Sequence, residues 1–416
     1  IDIFKNNNNK ELVFSPFRLM YFSEDNLLQK KISENYWLEK SKNKYLSSFT
    51  QSKYENKNKQ KIRIGYFSGD FKDHPVFHLI QDLFVNHDKS IFEVYAYSSF
   101  KQEGLERDKI IKNVDYFFDI DSKNDQQILD LVNSHSLDIA IDLSGYTLNG
   151  NAEIFNFDIA KYKINYLGYP GTMGTKKYDY ILCDKIVIPE ADKDFYSEKL
   201  LYLDQGFLPY NPTSFKFDFK KKDFKLPSNV FLLGCLNRIE KILPNIFDIW
   251  IRILNKYADA YLVLNIQNED VKKNLRNYSL INNFNFDKLI FLDRTDTHED
   301  YLKRMSLIDL YLDTYPYNGH TVIADSLFQS CVPIVSMKGR SFSSRVSTSL
   351  LSSLNLEQLS TNNYQEYYNK IDYFCSNRNE LKKIRDLLLN YKNNNLNRIK
   401  LFTKNFEDLM LNIVRN

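Results

Sequence analysis

Short apolar runs alternate along this chain with stretches in which apolar residues recur every three or four positions. In the first half the apolar runs predict strands at 61–68, 92–97, 138–143, 163–168 and 178–183. In the second half they predict strands at 230–236, 261–265, 288–292, 310–312 and 333–337. Helical spacing predicts helices from Pro75 and at 126–133, 244–255, 270–278 and 298–306. Strands that alternate with helices indicate two α/β, doubly wound, Rossmann-like halves, each with a parallel sheet covered on both faces.

The regular alternation is interrupted between the two halves and at both ends of the chain. Pro209, Pro212 and Pro227 frame a charged run at 216–225, which is predicted to be a solvated linker rather than a phosphate- or membrane-binding patch. Asn6 to Asn9 predict a turn, and residues 17–46 predict one or two helices. The predicted segments are therefore a helical segment (1–58), a first domain (59–207), a linker (208–228), a second domain (229–375) and C-terminal helices (376–416). Two such domains are expected to leave a cleft at the carboxyl ends of their strands.

Composition narrows the functional class. The formal net charge of the 416-residue chain is only +3, so binding to nucleic acid or to an anionic membrane is not expected. The four cysteines form no C-x-x-C pair, which predicts reduced, mostly buried thiols. No signal peptide and no apolar run near 18 residues is present, so a soluble, cytoplasmic protein is expected.

One stretch of the second half, DLYLDTYPYNGHTVIADSL at 309–327, combines a strand, a tight loop and a helix start. Such a junction directs backbone N–H groups and the positive end of the helix toward an anion, most often a phosphate. Thr321 adds a hydroxyl, His320 a ring nitrogen, and Asp325 a carboxylate one turn later. An ordinary strand-to-helix turn is the alternative interpretation of this stretch.

Other strand ends of the second half carry polar residues of matching chemistry. Arg238 and Lys241 follow the strand at 230–236, and Lys241 could neutralise a diphosphate together with the helix start before Asp325. The chain has no Walker loop, and its second half has no G-x-G-x-x-G, which disfavours P-loop chemistry and hydride transfer. A lone D-x-D at Asp119 and Asp121 follows no convincing strand and is a weak metal signal.

The first half carries groups suited to proton transfer. Asp70, Asp73, His74 and His78 follow its first strand, and a histidine beside carboxylates can act as a base near neutral pH. The alternative is that His74 only caps the following helix. Because no G-x-S-x-G motif indicates a hydrolytic triad, transfer from a nucleotide-activated donor fits these residues better.

Eight motifs occur in the order found in one known family, and the match covers roughly residues 61–355. They are GYFSGDFKDHPVFHL (65–79), DLSGYT (142–147), YLGYPGTMG (166–174), DYILCD (179–184), YSEKLLYL (196–203), LNRIEKI (236–242), YLDTYPYNGHT (311–321) and SFSSRV (341–346). The chain thus resembles the catalytic region of the O-linked N-acetylglucosamine transferases and SPINDLY proteins, glycosyltransferase family 41. Residues 1–50 resemble the helical segment that follows the family's tetratricopeptide superhelix, which is not in this chain.

The resemblance implies a GT-B fold and inverting, metal-independent transfer of a sugar from a nucleoside diphosphate to Ser or Thr hydroxyls of a protein. It implies no cofactor beyond the donor, UDP-N-acetylglucosamine. His74 and Asp70 match groups considered as base or proton relay, and Lys241 matches the phosphate lysine. The donor-binding positions that it implies are Arg238, Lys241, His298, Tyr301, Arg304, Tyr317, His320, Thr321, Asp325, Leu167, Gly168 and Pro170.

Departures from the family pattern bear on the donor and the base. Val322 replaces a threonine, Tyr301 stands where many members have a histidine on the uracil, and His298 replaces a lysine. Ser15 lies where animal enzymes carry a histidine proposed as base. GDP-fucose is therefore an alternative donor, although SPINDLY-like sequences tend to have Thr and Glu at the positions of His320 and Asp325. A non-catalytic nucleotide-sugar or peptide-binding module, or a glycan or Asn acceptor, also stays open.

Overall fold

The computed structural model of the chain describes residues 14–42, 60–212, 219–227, 229–395 and 397–415. The turn predicted at Asn6 to Asn9, the helical pattern beyond residue 42, and residues 216–218 of the charged run lie outside the described residues. The chain divides into two compact units, one formed by Ile1–Tyr210 with Asn397–Asn416 and the other by Asn211–Leu396. Each unit is described by itself.

The first unit is built on a parallel sheet with the strand order β3-β2-β1-β4-β5-β6-β7 in its described part. The strands are β1 Ile62–Ser68, β2 Phe92–Ser98, β3 Tyr116–Asp119, β4 Leu137–Asp142, β5 Ala160–Asn165, β6 Tyr180–Cys183 and β7 Lys199–Tyr202. The helices are α1 Pro16–Leu19, α2 Asn26–Ser41, α3 Pro75–Asn86, α4 Leu105–Asn113 and α5 Asp125–His135. The strand order reverses between β1 and β4, which makes their carboxyl ends the switch point where α/β sheets bind ligands.

The second unit has a parallel sheet with the order β10-β9-β8-β11-β12-β13 among its described strands. The strands are β8 Phe231–Cys235, β9 Ala260–Leu264, β10 Leu289–Phe291, β11 Leu310–Leu312, β12 Ile334–Met337 and β13 Ser360–Thr361. The helices are α6 Pro244–Lys256, α7 Glu269–Ile281, α8 His298–Met305, α9 Thr321–Ala324, α10 Val346–Ser352, α11 Tyr364–Ser376 and α12 Arg378–Asn394. Its switch point lies between β8 and β11, directly before Lys241 and the 313–321 loop.

The two halves predicted from the alternation are present, but several elements differ in detail. The strand predicted at 163–168 is β5, Ala160–Asn165, because Tyr166 and Leu167 belong to the following loop, where Leu167 has a φ of 75°. The strands β3, β7 and β13 were not predicted, since each is a short strand at the edge of its sheet with at most one buried residue. The spacing of apolar residues gives little signal in such partly exposed strands.

The expectation that Asp119 follows no strand is wrong, because Asp119 is the last residue of β3. Its carboxylate lies 2.5 Å from the guanidinium of Arg107, whose side chain is buried. Arg107 also lies over the ring of Phe117. The Asp119 carboxylate therefore holds α4 to the edge of the first sheet.

The N-terminal helix α2 packs directly on loops of the first unit. The Ser33 hydroxyl lies 3.2 Å from the Tyr169 hydroxyl, and both groups are buried. The rings of Trp37 and Tyr178 meet edge to face. A Cβ on Gly174 would lie 2.3 Å from the Glu34 backbone nitrogen, so only glycine allows this close approach. The helix is thus part of the packing that holds the 166–174 loop.

The final helix, α13 (Arg398–Arg415), belongs to the first unit and packs on α3. The buried His87 ring lies at the end of α3, with its Nδ1 2.8 Å from Glu407 Oε1 and its Nε2 2.7 Å from the Tyr66 hydroxyl. This network pairs the polar groups that the helix buries, so the last helix is fixed by hydrogen bonds as well as by apolar contacts.

In the described part of the charged run, 219–225, most of the charged side chains are exposed, as predicted, but Lys221 is not freely solvated. The Lys221 ammonium donates to the Val230 carbonyl at 2.8 Å and lies 3.3 Å from the Asp309 carboxylate. Asp309 also accepts the Leu232 backbone N–H. Consecutive charges in a sequence predict a solvated segment. The contact of Lys221 is not visible in the sequence, because its carboxylate partner lies 88 residues away.

The four cysteines are buried and unpaired, in agreement with the prediction of reduced thiols. None of the helices in the described ranges is long and apolar enough to cross a membrane.

Candidate functional site

Lys241 lies beside the loop that follows β11, at the switch point of the second sheet. It ends a short 3-10 turn after β8, and its ammonium donates to the Asn318 carbonyl at 2.6 Å. The same ammonium lies 3.5 Å from the centroid of the Tyr317 ring, which provides a cation–π contact. Arg238 is exposed at the start of this turn. The structure therefore brings the predicted phosphate lysine to the predicted phosphate loop.

Asp313, which follows β11 directly, organises this loop although sequence reasoning did not single it out. Its buried carboxylate accepts the Gly319 N–H at 2.7 Å, the Thr314 N–H at 2.8 Å and the Ser347 hydroxyl at 2.5 Å. These bonds close the loop back on the end of its own strand. The position directly after a buried strand was the available signal.

Burial perturbs the titration of both charged groups at this switch point. Burial lowers the pKa of Lys241 below its usual value, the Asp313 carboxylate opposes this change, and Arg238 lowers it further. Burial raises the pKa of Asp313, while hydrogen bonds from Ser347, Gly319 and Thr314 oppose the rise. A buried cation is costly without an anion beside it. A bound diphosphate would favour the charged form of Lys241.

His320 presents a buried ring nitrogen to this site. Its Nε2 is buried and has no hydrogen-bond partner within the described residues. The ring bonds the Ser343 backbone, and since Nε2 has no partner, that bond is made by Nδ1. Burial lowers the pKa of His320 well below its usual value, and nearby Lys241 lowers it further. The neutral ring therefore leaves a lone pair on Nε2, which gains a partner when a ligand or a proton binds.

The helical stretch after His320 supplies backbone donors. The N–H groups of Ile323 and Ala324 bond the His320 carbonyl, whereas those of Thr321 and Val322 begin the helix and have no carbonyl one turn earlier to bond. The Val322 side chain offers no hydroxyl and contributes only its backbone N–H. Thr321 keeps its hydroxyl at the first helical position. The arrangement can therefore donate to an anion through the backbone and through Thr321.

Asp325, His298 and Tyr301 form a second cluster, which we call the nucleoside face after the donor-binding role predicted for these residues from the sequence. Asp325 is buried and opens a π-helical segment, Asp325–Gln329, that continues α9. The His298 Nε2 lies 3.7 Å from the Asp325 carboxylate, and the rings of His298 and Tyr301 stack with centroids 5.6 Å apart. Burial raises the pKa of Tyr301 well above its usual value, and Asp325 raises it further. Tyr301 is therefore a neutral aromatic group at neutral pH.

Arg304, also on α8, is placed differently from these residues. Its Nη2 donates to the Asp293 carbonyl at 2.6 Å, near the start of the loop after β10. Its Nε is buried and has no hydrogen-bond partner within the described residues. Arg304 therefore fastens the loop after β10 to α8, and its Nε–H is left unpaired.

In the first unit, His74 is the N-cap of α3. Its Nδ1 accepts the Val76 N–H at 3.3 Å, so His74 does cap this helix. The same Nδ1 lies 3.5 Å from the carboxylate of the buried Asp70. One turn later, His78 Nε2 lies 2.9 Å from Asp73. The His74–Asp70 pair has the composition of a base and its orienting carboxylate, although the carboxylate contact is longer than a hydrogen bond.

The loop after β5 packs against the loop after β4. A Cβ on Gly168 would lie 2.1 Å from the Leu143 carbonyl oxygen, so Gly168 serves this packing rather than only an approach to a ligand. The Gly69 N–H after β1 donates to Ser144 Oγ at 3.1 Å. Pro170 is buried within the 166–174 loop. The three predicted loops of the first half therefore meet at the carboxyl ends of β1, β4 and β5.

The sequence and the fold of this chain are similar to those of known proteins. A sequence profile described as glycosyl transferase family 41 matches residues 7–211 and 211–406. The chain is 29% identical over 334 residues to the Arabidopsis thaliana protein described as "Probable UDP-N-acetylglucosamine--peptide N-acetylglucosaminyltransferase SEC", covering 78% of this chain and 34% of that protein. It is 28% identical over 331 residues to the SPINDLY protein of Arabidopsis thaliana, described as the same kind of probable transferase, covering 78% of this chain and 36% of that one. The chain spans about a third of the length of these curated relatives.

A solved structure of a Thermobaculum terrenum O-GlcNAc transferase mutant superposes on the chain with a TM-score of 0.85 at 24% identity. The match covers 95% of this chain and 76% of that one. At this identity the likeness shows the fold alone, and it confirms the GT-B fold predicted from the sequence.

Proposed function

The chain belongs to glycosyl transferase family 41, and on that premise we propose that it transfers N-acetylglucosamine from UDP-N-acetylglucosamine to Ser or Thr hydroxyls of proteins. One observation supports the donor class above the others: a cationic side chain and a buried, unpartnered ring nitrogen lie beside the helix start after β11. A diphosphate would neutralise the cation, and it would accept a hydrogen bond from the ring nitrogen once that nitrogen has taken up a proton. The relatives' descriptions, which name UDP-N-acetylglucosamine and a peptide, support the sugar and the acceptor class.

In the proposed reaction the acceptor oxygen forms a bond to the anomeric carbon while the bond from that carbon to the diphosphate oxygen breaks. The configuration at the anomeric carbon inverts, since one displacement occurs. The acceptor proton passes to His74 or to Asp70, and UDP leaves with the bonding electron pair. Lys241 and the N–H groups at Thr321 and Val322 stabilise the charge that develops on the leaving diphosphate.

The nucleoside face supplies the remaining contacts in this proposal. The Asp325 carboxylate accepts hydrogen bonds from ribose hydroxyls, and the Tyr301 ring stacks on the base. The described residues provide cations for the diphosphate, so we propose that transfer needs no divalent metal. A chelator such as EDTA should therefore leave the transfer rate unchanged.

The proposal is tested with the purified chain and a panel of UDP- and GDP-sugars. We expect UDP-N-acetylglucosamine to raise the melting temperature most, because a ligand that binds only the native state stabilises it. Proteins co-expressed with the chain should carry N-acetylglucosamine on Ser or Thr, as measured by mass spectrometry. If only GDP-fucose raises the melting temperature, the donor is GDP-fucose and not UDP-N-acetylglucosamine. If the co-expressed proteins carry only Asn-linked hexose, the acceptor is Asn and not Ser or Thr. If the chain neither transfers nor hydrolyses any of the donors, it is a non-catalytic binding module and the proposed enzymatic function is wrong.

Binding of UDP should take up protons. Burial lowers the pKa of both His320 and Lys241 in the free protein, and a bound diphosphate raises both again because it stabilises the charged forms. The affinity for UDP should therefore rise as the pH is lowered from alkaline to neutral values. Calorimetry in buffers of different ionisation enthalpy measures this uptake directly.

The matched variants for proton uptake are His320→Asn and His78→Asn. Asparagine at 320 retains an N–H for the Ser343 carbonyl but does not titrate, so it should reduce the uptake. His78 pairs with Asp73 in the first unit, and its replacement should leave the uptake as in the wild type. Equal uptake by the wild type and His320→Asn would show that His320 stays neutral in the complex.

A further inference from the structure

Helix α12 holds the π-helical segment that carries Asp325 by a buried lysine. The Lys392 side chain is only 3% exposed, and its ammonium donates to the Gln329 carbonyl at 2.7 Å. Gln329 is the last residue of the segment that begins at Asp325. The carbonyls at the end of a helix lack partners within it and carry partial negative charge, so a cation there is stabilising.

The same helix α12 holds the end of α8, the helix that carries His298 and Tyr301. The Arg385 guanidinium donates to the Ser306 carbonyl at 2.7 Å and to the Ile308 carbonyl. Ser306 is the C-cap residue of α8, and Ile308 leads into β11. Like Lys392, Arg385 therefore places a cation on carbonyls at the carboxyl end of a helix.

A third bond joins the two held elements to each other. The buried Ser330 hydroxyl, directly after the π-helical segment, donates to the Leu302 carbonyl of α8 at 2.9 Å. The π-helical segment and α8 are therefore tied together at their carboxyl ends and are each tied to α12. All three elements belong to the second unit. Two residues of the nucleoside face, His298 and Asp325, lie at the amino-terminal ends of these two elements.

We propose that Lys392 and Arg385 are positioning residues for the nucleoside face. They act through backbone carbonyls, so that the Asp325 carboxylate and the His298–Tyr301 ring pair keep the separation that a nucleoside needs. The inference rests on the proposed function, since it assigns a nucleotide to this face. A displacement of about 1 Å in an active site can cost about 10²-fold in rate.

The free-energy cost of burying Lys392 and Arg385 is a physical reason to assign them a role in positioning the segments they contact, and not in stability alone. Burial lowers the pKa of both Lys392 and Arg385. A buried polar tie usually offers little net stability over an apolar contact of similar size, but it does specify one arrangement. Each of the carbonyl groups of Gln329 and Ser306 points in a fixed direction from its helix. Because the two cations must meet these groups, they determine the register of α12 against the π-helical segment and α8.

The test compares Lys392→Met with Lys383→Met in the full chain. Methionine preserves the length of the side chain, and Lys383 is an exposed residue of the same helix that pairs with Glu380 on the surface. We expect the Kd of UDP and the KM of the donor to rise about tenfold or more in Lys392→Met, with kcat changed less than about twofold, because uniform binding is lost. Lys383→Met should match the wild type in all three. Lys392→Gln, which keeps an N–H donor for Gln329, should recover most of the affinity.

The outcomes separate this inference from the proposed function. If the wild type neither binds UDP nor transfers sugar, the proposed function fails. If the wild type does both and folded Lys392→Met binds UDP as tightly, the positioning role is overturned. Should Lys392→Met not fold, Ser330→Ala replaces it as a smaller change to the same ties. A rise in Kd then supports the role, and an unchanged Kd overturns it.

Discussion

Replacing Lys241 with methionine should lower kcat by about 10²- to 10³-fold, equivalent to about 2.7 to 4 kcal/mol of lost stabilisation of the transition state. The ammonium lies between the Asn318 carbonyl and the Tyr317 ring, beside the helix start at Thr321. Charge on the leaving diphosphate increases as its bond to the sugar breaks, so a fixed cation there acts most strongly in the transition state. The values of kcat and KM for the donor, together with the Kd of UDP, measure the effect.

Methionine keeps the length of the side chain and its packing on Tyr317, which separates loss of charge from loss of contact. The control is Lys273→Met, an exposed lysine on α7 in the same unit, which should have wild-type kinetics. A loss of less than about tenfold in Lys241→Met would assign most of the stabilisation to the backbone N–H groups of the helix start. An unchanged affinity for UDP together with an unchanged kcat would remove Lys241 from the site.

The second large effect is expected for His74→Asn, which should lower kcat by about 10²- to 10⁴-fold if His74 is the general base. Asparagine is a good N-cap residue, so the variant keeps the bond from the Val76 N–H that His74 now accepts. The loss of activity should therefore occur without a fall in melting temperature or in UDP affinity. His74→Ala loses the cap as well and should cost about 0.5 to 2 kcal/mol of stability in addition.

The tautomer of His74 makes this comparison informative. While Nδ1 accepts the Val76 N–H, the neutral ring carries its proton on Nε2 and has no free lone pair there. Base function requires Nδ1 to hold the proton and donate it to Asp70, a contact of 3.5 Å in this structure. Such contacts often shorten only when substrate is bound. If His74→Asn turns over at the wild-type rate, His74 is a helix cap and Asp70 becomes the candidate base. The control is His78→Asn, on the next turn of the same helix.

The fold could be predicted from the sequence to a large extent because its strands are buried on both faces. The runs at β8 and β11 are apolar along their length, and β1 is apolar from Ile64 to Phe67. A proline starts the helices that follow β1 and β8, which is a local signal. The strands β3 and β7 were missed because they are partly exposed at the edges of the sheet, where no buried apolar run marks a strand. Their positions follow from pairing with β2 and β6, which is not a local property.

The candidate site was predicted less completely. The sequence pointed to His320, Thr321 and Asp325 because a strand, a loop and a helix start follow one another within 309–327. It did not point to Asp313, whose importance arises from accepting the Gly319 N–H and the Ser347 hydroxyl. It also did not show that the Arg304 side chain donates a hydrogen bond to the Asp293 carbonyl. A side chain's partner is determined by packing, whereas its chemical type is visible in the sequence.

By itself, the sequence determined the two doubly wound units, the switch-point loops and the phosphate-type junction at 309–327, because strand period, helix spacing and helix starts depend on neighbouring residues. Only the tertiary structure decided which groups meet there. Lys241 bonds a carbonyl 77 residues away, and Lys392 holds the segment of Asp325 from 63 residues away. Contacts over such separations depend on how helices and strands pack. That packing decides the charge state of Lys241, the free nitrogen of His320 and the position of the nucleoside face.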